Sequence, residues 1–342
     1  MPDLRYGINP HQSPATYASV HPDRSPITVV NGEPSYINLL DALNAWQLVR
    51  AAARSTGRVA AASFKHVSPA GAALDGPLDA SIRHTYRVGD VSDVASAYLR
   101  ARDADPKSSY GDFVAASGPV DADLADLLSR MVSDGIVAPD YEPGTVARLA
   151  AKKRGRFLVL RADPAFEAPT VESREVFGLR LTQPRDRIEI PAGLGPDAAL
   201  GLATIRFTQS NSVAFVKDGV AIGIGAGQQS RIDCTALAGA KAEMWWRRRH
   251  PSVFDVDAAT TSGRIAAQLA RAQALPAGLP LAGVTFVSDG ALPFADNIDE
   301  AARHGVQTIV EPGGSARSAA IARHAAALGI RLIATGVRQF HH

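Results

Sequence analysis

The sequence predicts an α/β protein with layered mixed sheets and flanking helices, and three observations carry that reading. Short apolar runs of strand length alternate with longer helix-forming stretches through most of the 342 residues. Glycine, proline, asparagine and aspartate punctuate the junctions between them. Hydrophobic residues make up 46% of the chain and charged residues 20%, an ordinary globular balance with length enough for two modest domains or one large unit.

In chain order, residues 38–53 carry Leu39, Leu43, Trp46 and Leu48 among good helix formers, with Asn38 as the expected N-cap. Residues 58–64 read as a buried strand ending at Lys65-His66. A strand over 112–116, an amphipathic helix over 121–133 and a strand over 156–160 follow. Pro184, Pro191, Gly193, Gly195 and Pro196 cluster around a soft boundary at 182–195, which divides the chain into units 1–190 and 191–342. The second unit opens with a helix over 196–207. Strands over 213–216 and 220–224 flank Lys217-Asp218-Gly219, a hairpin signal. Residues 231–249 are helical in pattern. Strands over 284–287, 308–310 and 331–334 have helices between them, and residues 274–280 read as a loop. No short-period repeat is visible.

A net charge of +2 is too small to argue for nucleic acid or an acidic membrane surface, and it suits a small anionic ligand held by a few placed cations. One cysteine, Cys234, makes neither an internal disulfide nor a cysteine-based zinc site. The N-terminus lacks an apolar signal core, no apolar run reaches membrane-spanning length, and a cytoplasmic location is expected.

Four segments crowd polar residues where the chain turns. Arg5 to Gln12 offers a cation, an aromatic and amides, and taken alone reads as a solvated tail. Lys65-His66 stands at a strand end, where open α/β sheets bind ligands. A histidine there exchanges a proton near neutral pH, and a lysine supplies charge to a developing oxyanion. Taken alone, such a pair is more often an ordinary surface dipeptide. Asn211 lies just before the second-unit hairpin. Gly223, Gly225 and Gly227 follow it, and they read as a turn into the N-terminus of the 231–249 helix, a favourable place for an anion. The same glycines are the whole case for a nicotinamide oxidoreductase, and their spacing is not the dinucleotide fingerprint. The fourth group comprises residues 288–294, 312–315 and 338–342, each near a strand end. Trp245 and Trp246 with the following arginines read as packing at a helix end rather than a nucleic-acid patch.

Together these segments resemble the transformylase part of the bifunctional purine biosynthesis family, which joins 5-aminoimidazole-4-carboxamide ribonucleotide (AICAR) transformylase to inosine monophosphate cyclohydrolase. The strings RYGINPHQ, INLLDALNAWQLV, SFKHVSPAGAA, SSYGDFVA, VSDGI, FTQSNSV, GIGAGQQSRI, SDGALPF, DNID, PGGSA and RQFHH occur in family order from Leu4 to His342. The resemblance implies a duplicated cytidine deaminase-like fold without zinc. It implies 10-formyltetrahydrofolate as co-substrate, a homodimer with shared active sites, and room for a structural potassium ion. Lys65, His66 and Asn211 match the family's catalytic positions. Arg5, Tyr6, Gly111, Asp134, Arg231, Arg338 and Phe340 match contacts to the nucleotide. Ile232, Asp296, Ser315 and Ala316 match the folate side.

Two departures stand on that folate side. Ala291 replaces an aromatic, and the region 251–283 is shorter than in typical members. The cyclohydrolase part is also expected to be missing, leaving ring closure to a separate protein. Two other readings follow: a paralogue that formylates an AICAR-like amino-carboxamide nucleotide in nucleoside antibiotic biosynthesis, and a non-catalytic nucleotide-binding homologue.

Overall fold

The first long helix shows how local sequence sets the frame. Ser35 caps it by accepting the Asn38 amide, and the Asn38 side chain answers to the Ser35 amide, closing a capping box. Asn38 is therefore the third helical residue and not the N-cap that its position before the apolar run suggested. Leu39, Ala42, Trp46, Val49 and Ala52 recur at helical spacing and are buried, and Gly57 at φ 68° terminates the helix.

The computed structural model describes residues 1–21, 23–276 and 280–342. Strands β1 (Asp3–Leu4) and β2 (Ala15–Thr16) form a small antiparallel pair. The first half continues with β3 (Ile27–Asn31), α1 (Tyr36–Thr56), β4 (Ala60–Lys65), β5 (Ser68–Leu74), α2 (Ala80–Tyr86), α3 (Asp93–Ala104), β6 (Asp112–Ala116), α4 (Ala122–Arg130), β7 (Ser133–Ala138), α5 (Thr145–Ala150) and β8 (Leu158–Ala162). A separate hairpin, β9 (Val171–Val176) and β10 (Leu179–Pro184), leads to the second half. There follow α6 (Pro196–Ile205), β11 (Val213–Lys217), β12 (Val220–Gly225), α7 (Arg231–Arg247), α8 (Pro251–Phe254), α9 (Thr261–Ala274), β13 (Val284–Ser288), α10 (Asp296–Arg303), β14 (Val306–Glu311), α11 (Ser318–Ala327) and β15 (Arg331–Ala334). The helix expected over 121–133 stops at Arg130, because Ser133 begins β7. Of the loop expected over 274–280, residues 277–279 lie outside the described residues.

One mixed sheet of 11 strands runs through both halves in the order β15-β14-β13-β11-β12-β5-β4-β6-β7-β8-β3. In each half a hairpin pairs antiparallel with a strand that begins a parallel run: β4 with β6, then β7 and β8; β11 with β13, then β14 and β15. The halves meet where β5 and β12 pair antiparallel, through the single register pair Ala73–Val220.

Helices cover both faces. Alternate strand residues such as Ala60, Ala62 and Phe64 turn toward α1 and α6, which share one continuous core. Their neighbours face α2, α3 and α4 in the first half and α7, α10 and α11 in the second. Close approach of these helices needs strand glycines. A Cβ at Gly71 would lie 2.1 Å from the Ala101 carbonyl of α3, and one at Gly223 would lie 2.1 Å from the Ala238 carbonyl of α7. The glycines at 223 and 225 thus sit in a strand under a helix and not in the turn their spacing suggested. Gly223→Ala is expected to destabilise the fold by about 1–3 kcal/mol through overpacking, read as a lower urea midpoint at unchanged slope.

The strand directions gather all the turns of interest at one end. Lys65 closes β4, and Gly111 and Asp134 lie where β6 and β7 start. Asn211 precedes β11, Arg231 follows β12, and residues 289–294, 312–316 and 335–342 follow β13, β14 and β15. Antiparallel pairing of β4 with β6 and of β11 with β12 and β13 puts all these positions at the same edge. The N-terminus of α1 enters at that edge too.

Candidate functional site

Lys65 and His66 are presented by an unusual turn. His66 and Val67 alone join β4 to β5, and both have positive φ, 52° and 62°. That is the conformation of a two-residue hairpin turn normally filled by Asn-Gly. For a β-branched residue such as Val67 it is a genuine outlier, costing roughly 1–2 kcal/mol. The Val67 amide is tied down by the Asp41 carboxylate of α1, Oδ1 accepting at 2.7 Å. The turn leaves His66 exposed, its imidazole making no hydrogen bond among the described residues.

The Lys65 ammonium donates to two carbonyls, Tyr110 at 2.9 Å and Gly111 at 2.8 Å. Gly111 has φ 75°, a conformation that strains any other residue, and a Cβ there would lie 2.8 Å from Lys65 Nζ and push the ammonium off its carbonyls. An ammonium has three donors, which leaves Lys65 one for a ligand. Beneath these carbonyls Asp112 is fully buried, accepting from Ser63 (2.7 Å), Tyr98 (3.2 Å) and Arg102 (2.7 Å). Burial pushes the Asp112 carboxyl above its usual range, with Arg102 opposing the shift. Asp134 is half-buried at the start of β7 and ion-paired with Lys153.

Arg5 and Tyr6 are not a solvated tail. The Arg5 amide donates to the Pro34 carbonyl and the Tyr36 amide to that of Tyr6, so this segment is fastened to the entrance of α1.

In the second half, Asn211 and Arg231 are bonded to each other, Arg231 Nη2 donating to Asn211 Oδ1 at 2.6 Å. The Asn211 amide nitrogen donates to the Gln228 and Gln229 carbonyls at 2.8 and 3.1 Å, which fixes its orientation. Asp289 is the hub. It is fully buried, ion-paired with Arg231, and accepts from the Ser210 hydroxyl (2.6 Å) and the Ser212 amide (2.9 Å). Its carbonyl accepts from Gln339 at 2.9 Å, while the Ser210 amide donates to the His341 carbonyl, so the last residues are laid across the same loop. Arg338 and Phe340 are exposed, the guanidinium 4.5 Å from the ring centroid. Ile232 is the second residue of α7, exposed Asp296 begins α10, and Ser315 and Ala316 precede α11.

The sequence-predicted residues therefore form two clusters at one sheet edge, and no hydrogen bond among the described residues joins Lys65 or His66 to Asn211 or Arg231. Sequence reasoning missed Asp41 and Asp289, the two buried carboxylates that hold these clusters. Asp289 lay inside the string SDGALPF but carried no assigned role. Among the described residues no group of three or more His, Cys, Asp or Glu could hold a metal ion, and no helix is long and apolar enough to cross a membrane.

The structure is thus a three-layer α/β protein that gathers a lysine–histidine turn and an asparagine–arginine pair at one sheet edge. The model of the AICARFT/IMPCHase bienzyme family matches residues 1–241, and the chain belongs to that family. It is similar to the bifunctional purine biosynthesis protein PurH of Magnetococcus marinus, 31% identical over 359 residues, and to that of Brucella ovis, 32% identical over 356. Both alignments cover 99% of this chain, which spans 59% and 58% of those relatives' lengths.

Proposed function

We propose that this chain transfers the formyl group of 10-formyltetrahydrofolate to the 5-amino group of AICAR, giving formyl-AICAR and tetrahydrofolate, a step of purine biosynthesis. The observation that carries the reading is the left-handed turn that presents His66 to solvent beside a lysine with one free donor. The acceptor amine is conjugated with the carboxamide and is a poor nucleophile, so it needs a base and a held geometry. The amine nitrogen bonds to the formyl carbon while His66 takes the amine proton. Lys65 stabilises the tetrahedral intermediate at the formyl oxygen, and Asn211, held by the Gln228 and Gln229 carbonyls and by Arg231, positions the reacting groups. The bond from carbon to the folate nitrogen then breaks, and that nitrogen receives the proton. Arg5, Tyr6, Gly111, Asp134, Arg338 and Phe340 hold the nucleotide, with Arg231 acting partly through Asn211. Ile232, Asp296, Ser315 and Ala316 face the folate.

The same reading makes the chain a homodimer of paired units, 1–190 and 191–342, with each site completed by the partner copy. Two features support this: no hydrogen bond among the described residues joins the two clusters within one chain, and the β9–β10 hairpin exposes Val171, Val176, Phe177, Leu179 and Leu181. A structural potassium ion belongs to the same proposal. Half-buried Ala291, next to the Gly290 that packs on Arg231 and Phe340, favours one second reading: a roomier pocket that takes an AICAR-like amine.

The deciding measurement is the absorbance change as 10-formyltetrahydrofolate becomes tetrahydrofolate with AICAR as acceptor. Turnover is expected. A folded dimer that binds folate yet leaves AICAR unformylated would overturn the assignment and point to an analogue amine.

A further inference from the structure

We propose that Asp41 is a positioning residue for the Lys65–His66 pair: its buried carboxylate fixes the left-handed turn through the Val67 amide. The inference rests on the formyl-transfer reading for its kinetic readout, while the anchoring itself is tested independently of activity.

A valine held at φ 62° persists only where its surroundings over-determine it, and an acceptor on its own amide is the most direct way to do so. Asp41 supplies that acceptor from a different element. α1 enters at the sheet edge and carries Asp41 under the turn, where it is only 6% exposed. The charged and titratable groups around it are Lys65 on β4, Asp134 on β7 with its partner Lys153, and His66 in the turn; the first turn of α1 has no acidic residue. A carboxylate so placed is an expensive choice for stability alone. Burial raises its pKa from 3.8 to about 6, with the Val67 amide and Lys65 pulling it down and Asp134 pushing it up.

The sign follows from proton counting. Between pH 3.8 and about 6 the folded chain holds a proton on Asp41 that the unfolded chain has lost, so this group's contribution to stability declines as pH rises through that window. Above it, ionised Asp41 opposes folding. Asp41→Asn keeps an oxygen for the Val67 amide and removes the charge. It is expected to raise Tm at pH 8, the gain fading as pH falls through the same window, and yet to lower kcat about tenfold, the difference between a charged and a neutral acceptor. Asp41→Ala, which leaves the amide without its partner, is expected to lower kcat about 10²-fold with KM little changed.

The experiment uses the full chain as wild type and both variants, with kcat, KM, Tm and the Val67 amide resonance followed against pH. In a His66→Asn background, which removes the neighbouring imidazole, the Val67 resonance should titrate with a midpoint near 6, and in the same background carrying Asp41→Asn it should not. A Val67 resonance that stays still through that range overturns the proposal, as does an Asp41→Asn variant with unchanged kcat. A fall of Tm together with kcat in Asp41→Asn at pH 8 would assign Asp41 a merely structural role and also overturn it. If Val67 titrates as expected while the wild type leaves AICAR untouched, the anchoring stands and the formyl-transfer reading falls alone.

Discussion

Replacing His66 with alanine is expected to lower kcat for formyl transfer by about 10²–10⁴-fold while KM changes little, the usual size of a lost general base. The imidazole is exposed and makes no hydrogen bond among the described residues, so its removal breaks nothing that holds the fold. Backbone strain is the competing explanation for any loss, because residue 66 sits at φ 52°. His66→Asn separates the two effects. Asparagine tolerates the left-handed region better than most residues but relays no proton at neutral pH. An equal loss in both variants, measured by stopped-flow single turnover, assigns the effect to chemistry. Recovery in the asparagine variant would make the turn's shape the cause, and full turnover in either would remove His66 from the mechanism.

Asp289→Ala is expected to destabilise the protein by about 3–5 kcal/mol, the range for stripping the partner from a buried charge. Arg231 is almost wholly enclosed and would keep its charge with only Asn211 and Ser288 to satisfy it. Ser210 and Ser212 would lose their acceptor in the same step. Urea unfolding checks the size of the effect, and a change below about 1 kcal/mol would show that Asp289 is not the hub the contacts make it. Loss of activity should accompany loss of stability here, because the loop that releases is the one carrying Asn211. Asp41→Asn is the contrasting case, where the two are expected to move in opposite directions.

Much of the fold was legible because periodicity is local. The strand over 112–116 was read with its observed bounds, and the hairpin around Lys217-Asp218-Gly219 was read because Gly219 supplies the positive φ that such a turn needs. Strand β5 was illegible. Its sequence, Ser-Pro-Ala-Gly-Ala-Ala-Leu, has little strand propensity, and it becomes a strand because α3 packs against the bare backbone at Gly71. Strand β7 was hidden by Ser133-Asp134-Gly135, which breaks its apolar pattern. The site divides along the same line. Lys65-His66 stood out as polar residues at a strand end. Asp41 looked like one more acid on a helix, since its burial exists only once the β4–β5 turn folds over it. The partition of candidate residues into two clusters depends on where the strands pair, which no spacing in the sequence records.

The turn at His66-Val67 also bears on how this protein could be engineered. Consensus-minded stabilisation would begin there, because Asn-Gly is the pair such a turn prefers and would release roughly 1–2 kcal/mol of strain. It would also erase the imidazole to which the proposed function gives the amine proton. A search for hardier variants that scores thermal resistance alone would therefore drift toward inert proteins at this position, while one that scores turnover would keep the strain. A stretch of uncomfortable backbone is thus one that a stability-led redesign should be forbidden to touch.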